Sequence, residues 1–218
     1  MKPILNKTYG WKQLEGFVRN KLAKDKTGHD YEHTKRVLKI SLRLAEKYNH
    51  VDYDVLVASC FLHDISYAKG MVKNHHLASA RYALPILRKH KFPEDKIKLI
   101  QEAILHHVAH MAKAVQRNPE KIFIEAKILR DADNLDCLGS IGIIRMILFS
   151  ANQKIPYFKS KSDKLNESFY GNIKFLLDWH KKMLTSEGKK LAKERTKILK
   201  IFLRQIEKEH LQGRECEK

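Results

Sequence analysis

The stretch CFLHDISYAKG spans residues 60 to 70. Its apolar start, Cys60-Phe61-Leu62, runs straight into His63 and Asp64. Two ionisable side chains at the end of a core-like segment are costly to bury unless something compensates them. Working outward, the neighbouring segments show helical periodicity. In YEHTKRVLKISLRLAEKY (31–48), His33, Val37, Ile40, Leu44 and Tyr48 recur every three or four residues and form one stripe. Segment 54–63 predicts an apolar helix that ends near His63. Segment 76–90 predicts a helix whose Pro85 signals a kink or a late start. FPEDKIKLIQEAILHHVAH opens with a turn, places acidic residues in its first turn, and sets Ile97, Ile100, Ile104 and His107 on one face. Further helices are predicted at 122–138, 141–150, 166–184 and 186–210, with Thr185 or Ser186 capping the last. No alternating β-branched run is bounded by hairpin turns. The fold class expected is all-α.

The chain has 218 residues, of which 43% are hydrophobic, enough to bury a sizeable core. With 9 glycines and 5 prolines it shows no low-complexity linker and no internal repeat, so residues 1–218 read as a single domain. The polar, basic connection at 151–168 reads as a loop or as a lid facing a substrate. The formal net charge of +18 favours phosphate-bearing ligands, although lysines spread along the chain also fit a solvated surface. Three cysteines without a CxxC pattern point to free thiols in a reducing compartment and exclude a thiolate metal site. The N-terminus lacks a signal-peptide pattern, and no run reaches the ~18 apolar residues of a spanning helix. The expectation is a cytoplasmic protein with no membrane partner.

The ionisable residues on apolar faces form a set. His33 begins one stripe, His63 and Asp64 end another helix, His75 and His76 follow a short loop, and His106 and His107 sit in AILHHVAH. Asp131, Asp133 and Asp136 crowd ILRDADNLDCLG. At about 100° per residue, Ile128, Ala132 and Leu135 mark the inner face of that helix, and Asp131 and Asp136 fall on its two shoulders. Three carboxylates on an otherwise apolar helix repel one another unless a cation or hydrogen-bond donors compensate. Imidazole plus carboxylate, spread over separate helices, suits Mn²⁺, Fe²⁺, Co²⁺, Ni²⁺ or Zn²⁺, with Mg²⁺ as an alternative. His90, His110, His180 and His210 read as ordinary core or surface residues. Asp30, beside His29, reads as the cap of the helix starting near Tyr31.

This ordered set resembles the HD-domain metal-dependent phosphohydrolases, a family named for its adjacent His-Asp pair. GHDYEHTKRV (28–37) is similar to the family's opening segment. AKILRDADNLDCLGSIGIIR (126–145) and MLTSEGKKLAKERTKILKIFLRQIEKE (183–209) resemble segments of a subgroup of small, single-domain bacterial HD hydrolases. The resemblance runs from about residue 20 to about residue 210. It implies a helical HD core over about 20–150, with C-terminal helices at about 166–210 packed on it. It implies one metal bound by His33, His63, Asp64 and Asp133, because the family's last ligand follows Ala and precedes x-Leu. His75, His76, His106 and His107 sit where binuclear members place extra ligands; alternatively they bind phosphate or shuttle protons. Close relatives often carry an acidic residue near 75/76 instead, which leaves the metal count open. Asp64 is expected to ligate the metal and to orient or deprotonate water. Arg36, Lys69, Lys73 and Arg145, ahead of Arg130 and Arg81, are expected on the substrate phosphates, with Asp131 and Asp136 supporting the ligands from behind.

The function expected is metal-dependent hydrolysis of a nucleotide, such as a nucleoside triphosphate, or of another small phosphorylated compound, with Mn²⁺ a suitable ion. The alternatives are a cyclic-nucleotide or oligonucleotide phosphodiesterase, and a non-catalytic module binding nucleotide or nucleic acid. A monomer and a homodimer are both compatible with the sequence.

Overall fold

The structure, a computed structural model, describes residues 5–71, 73–108, 121–159 and 165–215. His110 and Cys216 lie outside the described residues, as do positions 160–164 of the basic connection. The described residues are helical, with no strand among them. In order, they form α1 (Trp11–Leu22), α2 (Tyr31–Ala45), α3 (Tyr53–Leu62), a 3₁₀ turn (Ile65–Lys69), α4 (His75–Lys89), α5 (Glu94–His106), α6 (Ile124–Asp136), α7 (Gly139–Asn152), α8 (Phe169–Leu176), a second 3₁₀ turn (Trp179–Lys182) and α9 (Ser186–Glu215). No single helix among them is long and apolar enough to cross a membrane.

α3 is the centre of the arrangement. Every residue from Asp54 to Leu62 is buried, as befits a helix that is apolar all round. Leu56 and Cys60 join one core cluster, with Val37, Leu44, Ile128, Leu129 and Leu135 of α2 and α6, which continues into Ile173, Leu191 and Leu199 of the C-terminal helices. Val55, Ala58 and Leu62 join a second cluster, with Leu14 and Val18 of α1, Leu87 of α4 and Ile97, Ile100 and Ile104 of α5. The stripes of α2 and α5 read from the sequence are therefore the faces turned toward α3. Asp52 starts α3 by accepting from the N–H groups of Asp54 and Val55. The helix stops at His63, Asp64 takes φ −114° and ψ 16°, and the 3₁₀ turn ends at Gly70 with φ 69°. Glycine fits that left-handed position without steric cost. Asp30 caps α2, accepting at 2.8 Å from the His33 N–H.

Two expectations change. α4 begins at His75 and carries Pro85 inside it, so the proline sits within the helix and does not mark a late start. The single helix expected at 166–184 is divided. Ser168 caps α8 by accepting from the Gly171 N–H, the helix ends at Leu176, and the 3₁₀ turn that follows brings Trp179 inward.

The C-terminal helix is clamped to α6. Thr185 caps α9, its Oγ1 accepting from the Gly188 N–H at 3.0 Å. The Thr185 hydroxyl and the N–H groups of Thr185 and Leu184 all donate to the buried carboxylate of Asp131, at 2.6, 2.7 and 2.9 Å. Arg195 donates to the carbonyl of Leu135, in the last turn of α6. α6 and α7 then meet at 76°. A side chain at Gly142 would overlap the Cys137 carbonyl, so this corner requires glycine. Replacing Asp131 with Ala strands two backbone N–H groups and a hydroxyl in the interior. The Asp131→Ala chain is expected to lose about 2–4 kcal/mol of stability in urea unfolding, while metal binding at the centre described next persists.

Candidate metal centre

Four donor atoms from three separate helical segments converge on one point. His33 lies one turn into α2, His63 and Asp64 end α3, and Asp133 lies on α6. His33 and His63 are fully buried, Asp64 nearly so, and Asp133 is partly open to the cavity described below. The His33 and His63 Nε2 atoms are 3.1 Å apart. Asp64 Oδ2 stands 3.4 Å from each of them. Asp133 Oδ1 stands 3.5 Å from His33 Nε2 and 4.0 Å from His63 Nε2. Donors held about 2.0–2.2 Å from a single cation stand roughly 3.0–3.5 Å from one another, so His33, His63 and Asp64 match in spacing as well as in chemistry, with Asp133 beside them and farther from His63.

The outer nitrogens explain why the inner ones point at the centre. His33 Nδ1 donates to Asp136 Oδ2 at 2.8 Å, and His63 Nδ1 donates to the Cys60 carbonyl at 2.8 Å. With both outer protons committed, two lone pairs face each other across 3.1 Å. Only a positive centre between them, a proton or a metal ion, makes that contact favourable. Burial opposes charging His63, yet the adjacent Asp64 and Asp133 carboxylates outweigh it and raise its pKa to about 9. Burial likewise opposes ionising Asp64, but the charge of His63 and the close approach of the His107 and His33 rings hold its carboxyl well below the usual range. Asp136 is also held low against its burial by hydrogen bonds from His33 and Arg36 and by the charge of Arg145.

A family model described as the HD domain matches residues 30–138, half of the chain and the whole of this centre. The chain belongs to the HD-domain family. It is 26% identical over 199 residues to the Bacillus subtilis protein YpgQ, covering 90% of this chain and 92% of that protein. A solved structure of YpgQ in complex with ADP superposes with a TM-score of 0.67 at 24% identity, covering 91% of this chain and 93% of that one. A structure from Lactobacillus plantarum gives a TM-score of 0.73 at 23% identity, covering 95% of this chain and 99% of that one. A Bacillus thuringiensis protein described as an HD-superfamily hydrolase gives 0.67 at 24%, covering 91% and 95%. These structural likenesses establish the fold, and the HD domain itself establishes a metal-dependent phosphohydrolase that uses a divalent cation.

Around these four donors the remaining predicted residues divide. His75 and His107 are brought in. Their Nε2 atoms are 3.2 Å apart and stand 3.6 and 3.7 Å from Asp64 Oδ1, an atom buried without a hydrogen bond. His107 Nδ1 donates to the Ile104 carbonyl, repeating the arrangement of His63. His76 and Lys73 line the adjoining cavity. His106 turns away toward Glu102, and Lys69 lies over the Tyr82 ring at 3.9 Å; neither lines the cavity. Arg36 is engaged behind the centre, its Nε and Nη2 donating to Asp136 at 2.8 and 3.0 Å. Asp131 is outside the cluster, committed to α9. Arg145 lines the cavity but is anchored, its Nε donating to the Gly28 carbonyl and its Nη1 3.3 Å from Asp136.

The cavity has a volume of about 420 Å³. Residues that the sequence did not single out also shape it. His29 stacks on Tyr67 with ring centroids 4.0 Å apart, and both line the wall together with Thr27. Tyr67, four positions after His63, and His29, four before His33, are the signals available in the sequence for that wall. Cys137 also lines the cavity, but burial pushes its thiol up to about 12 and leaves it protonated.

Two outcomes follow from this geometry. Asp136→Asn keeps the shape but weakens the hold on the His33 tautomer, and metal affinity is expected to drop about 10–100-fold in a competition titration with a chelating dye. In the metal-free protein His63 keeps a proton up to about pH 9, and an incoming cation must displace it. Metal affinity should therefore rise with pH and level off above about 9, with proton release seen by calorimetry in buffers of different ionisation enthalpy.

Proposed function

We propose that the chain hydrolyses nucleotides, with nucleoside triphosphates as the leading class, and that the ion is a transition metal such as Mn²⁺ held by His33, His63, Asp64 and Asp133. The reading is carried by one observation: Asp64 and Asp133, which flank the buried imidazole pair, line a cavity large enough for a nucleotide-sized ligand. The ADP present in the YpgQ structure supports it. A bound divalent cation supplies Lewis acidity toward a phosphoryl oxygen and a lowered pKa for water. The protein groups do the rest. Asp64 Oδ2 turns to the histidine pair while Oδ1, unpaired and buried, faces His75 and His107, so this carboxylate is placed to orient water and take its proton. His75 and His107 are placed to pass that proton on. Lys73, exposed at the rim, and His76 also line the cavity and suit phosphate oxygens. Arg145, fixed by Gly28 and Asp136, adds positive potential to the same wall.

A second reading has its own support. Asp64, His75 and His107 form a second group of metal-compatible donors sharing Asp64 with the first. A second ion held by Asp64, His75 and His107 would favour phosphodiester cleavage, since a metal pair can stabilise attacking and leaving oxygens together. A metal-supplemented screen over nucleoside mono-, di- and triphosphates and cyclic and dinucleotides, with identification of products, separates the readings. Orthophosphate or pyrophosphate from a triphosphate is the expected product, and Asp64→Ala is expected to reduce the rate at least 1,000-fold. Activity that survives Asp64→Ala, or cleavage confined to phosphodiesters, would refute the leading reading.

A further inference from the structure

α7 lies at the surface, yet the face it turns outward carries no charge. Ile141, Ile144, Ile147 and Leu148 recur along that face, and each is between 41% and 54% exposed. The other exposed positions of the helix, Ser140, Ala151 and Asn152, are uncharged as well. The helix has one charged residue, Arg145, which is buried and bonded to the Gly28 carbonyl. The chain is 31% charged residues and carries a net charge of +18. A helix that only met solvent in such a chain would show polar and charged side chains outward.

α9 extends the same face. The Arg195 side chain lies against Gly139 at the start of α7, and Ile141 shares a surface pocket with Ile198. Ile198 is 43% exposed, and Ile201, most of a turn further along α9, is 63% exposed. The six aliphatic side chains together expose roughly 500–600 Å², the upper end for the largest apolar patch on a monomer. Scattered exposed aliphatic residues need no explanation, but six on two adjoining helices mark a surface that something covers.

Area and charge both point to a second copy as the occupant. Two such faces pressed together would cover about 1,200 Å² from these side chains alone, which reaches the range of stable specific interfaces. A strongly basic chain can meet its own copy only where like charges are absent. Among the described helices with exposed residues, α7 is the one whose outward face meets that condition. The rim at the Ile141 end carries both signs, with Glu194 and Lys39 bordering the same pocket. A two-fold arrangement sets that rim against its own copy, so unlike charges can pair across it. None of the six side chains is aromatic, whereas faces that rest on a bilayer favour Trp and Tyr.

We propose that this face joins two copies of the chain about a two-fold axis, with α7 packed on its counterpart and α9 flanking it. On its inner side α7 supplies Arg145, Met146 and Phe149 to the cavity wall. The second copy would therefore brace that wall from outside without entering the site.

The test uses the full-length chain. Sedimentation equilibrium at micromolar concentrations should give twice the 25.5 kDa mass of one chain. Ile144→Glu and Ile201→Glu each set a pair of carboxylates against an apolar surface, and each should weaken association at least about 100-fold. Helical circular dichroism and Mn²⁺ affinity should stay as in the parent. Leu99→Glu makes the same change on α5 at a residue 38% exposed, and that variant should remain dimeric. The milder double variant Ile144→Ser with Ile201→Ser should also dissociate, and it needs no tolerated charge. A parent chain that is monomeric throughout overturns the proposal, and so does a dimer that survives all of these α7 and α9 variants. A monomer that co-sediments with phosphatidylglycerol vesicles, and loses that binding in Ile144→Glu, overturns it in favour of a membrane surface as the occupant.

Discussion

Two imidazole nitrogens face each other at 3.1 Å with their outer protons already given away. That contact is unfavourable without a positive charge between the rings, and the rest of the site is arranged around supplying one. Asp64, next to His63, and Asp133, from α6, bring compensating negative charge. Asp136, itself held by Arg36 and Arg145, fixes one ring from behind, and a main-chain carbonyl fixes the other. Such outer contacts set tautomer and ring direction, and so determine whether the inner nitrogens are usable as ligands.

The fold serves this point by burying α3 on all sides and ending it there. α2 and α6 pack against one side of α3, α1 and α4 against the other, and α5 touches both α3 and α6. Each helix that touches α3 near its C-terminus can therefore present a side chain to the same few ångströms. The C-terminal helices add rigidity from outside. Asp131 and Arg195 tie α9 to α6, and α6 carries Asp133, Asn134 and Asp136. Two neighbouring acids on one helix thus have unrelated tasks: Asp131 holds the scaffold, and Asp133 opens to the cavity.

The strong positive charge does not gather into the centre. Of the basic residues expected near phosphate, Arg36 is spent on Asp136, Lys69 lies over Tyr82, and Arg145 is pinned among Gly28, Asp136 and Cys137. A cationic side chain three residues from a donor of the cluster, as Arg36 is from His33, can as well brace that donor's partner as meet the substrate. Sequence spacing does not distinguish these roles, because both place the side chain one turn along the same helix.

The sequence by itself determined the helical class, the apolar stripes of α2, α3 and α5, the cap at Asp30 and the His-Asp pair that ends α3. These follow from periodicity and local hydrogen bonding, which act within a few residues. It also marked His33, Asp133, His75 and His107 as candidates. Only the tertiary structure decided which candidates meet, because convergence depends on how separate helices cross. It separated His107 from His106 by one helical step of about 100°, sent Asp131 to α9, divided the helix after α8, and turned Trp179 inward. Apart from that helical step, these outcomes are set by packing between residues far apart in the chain.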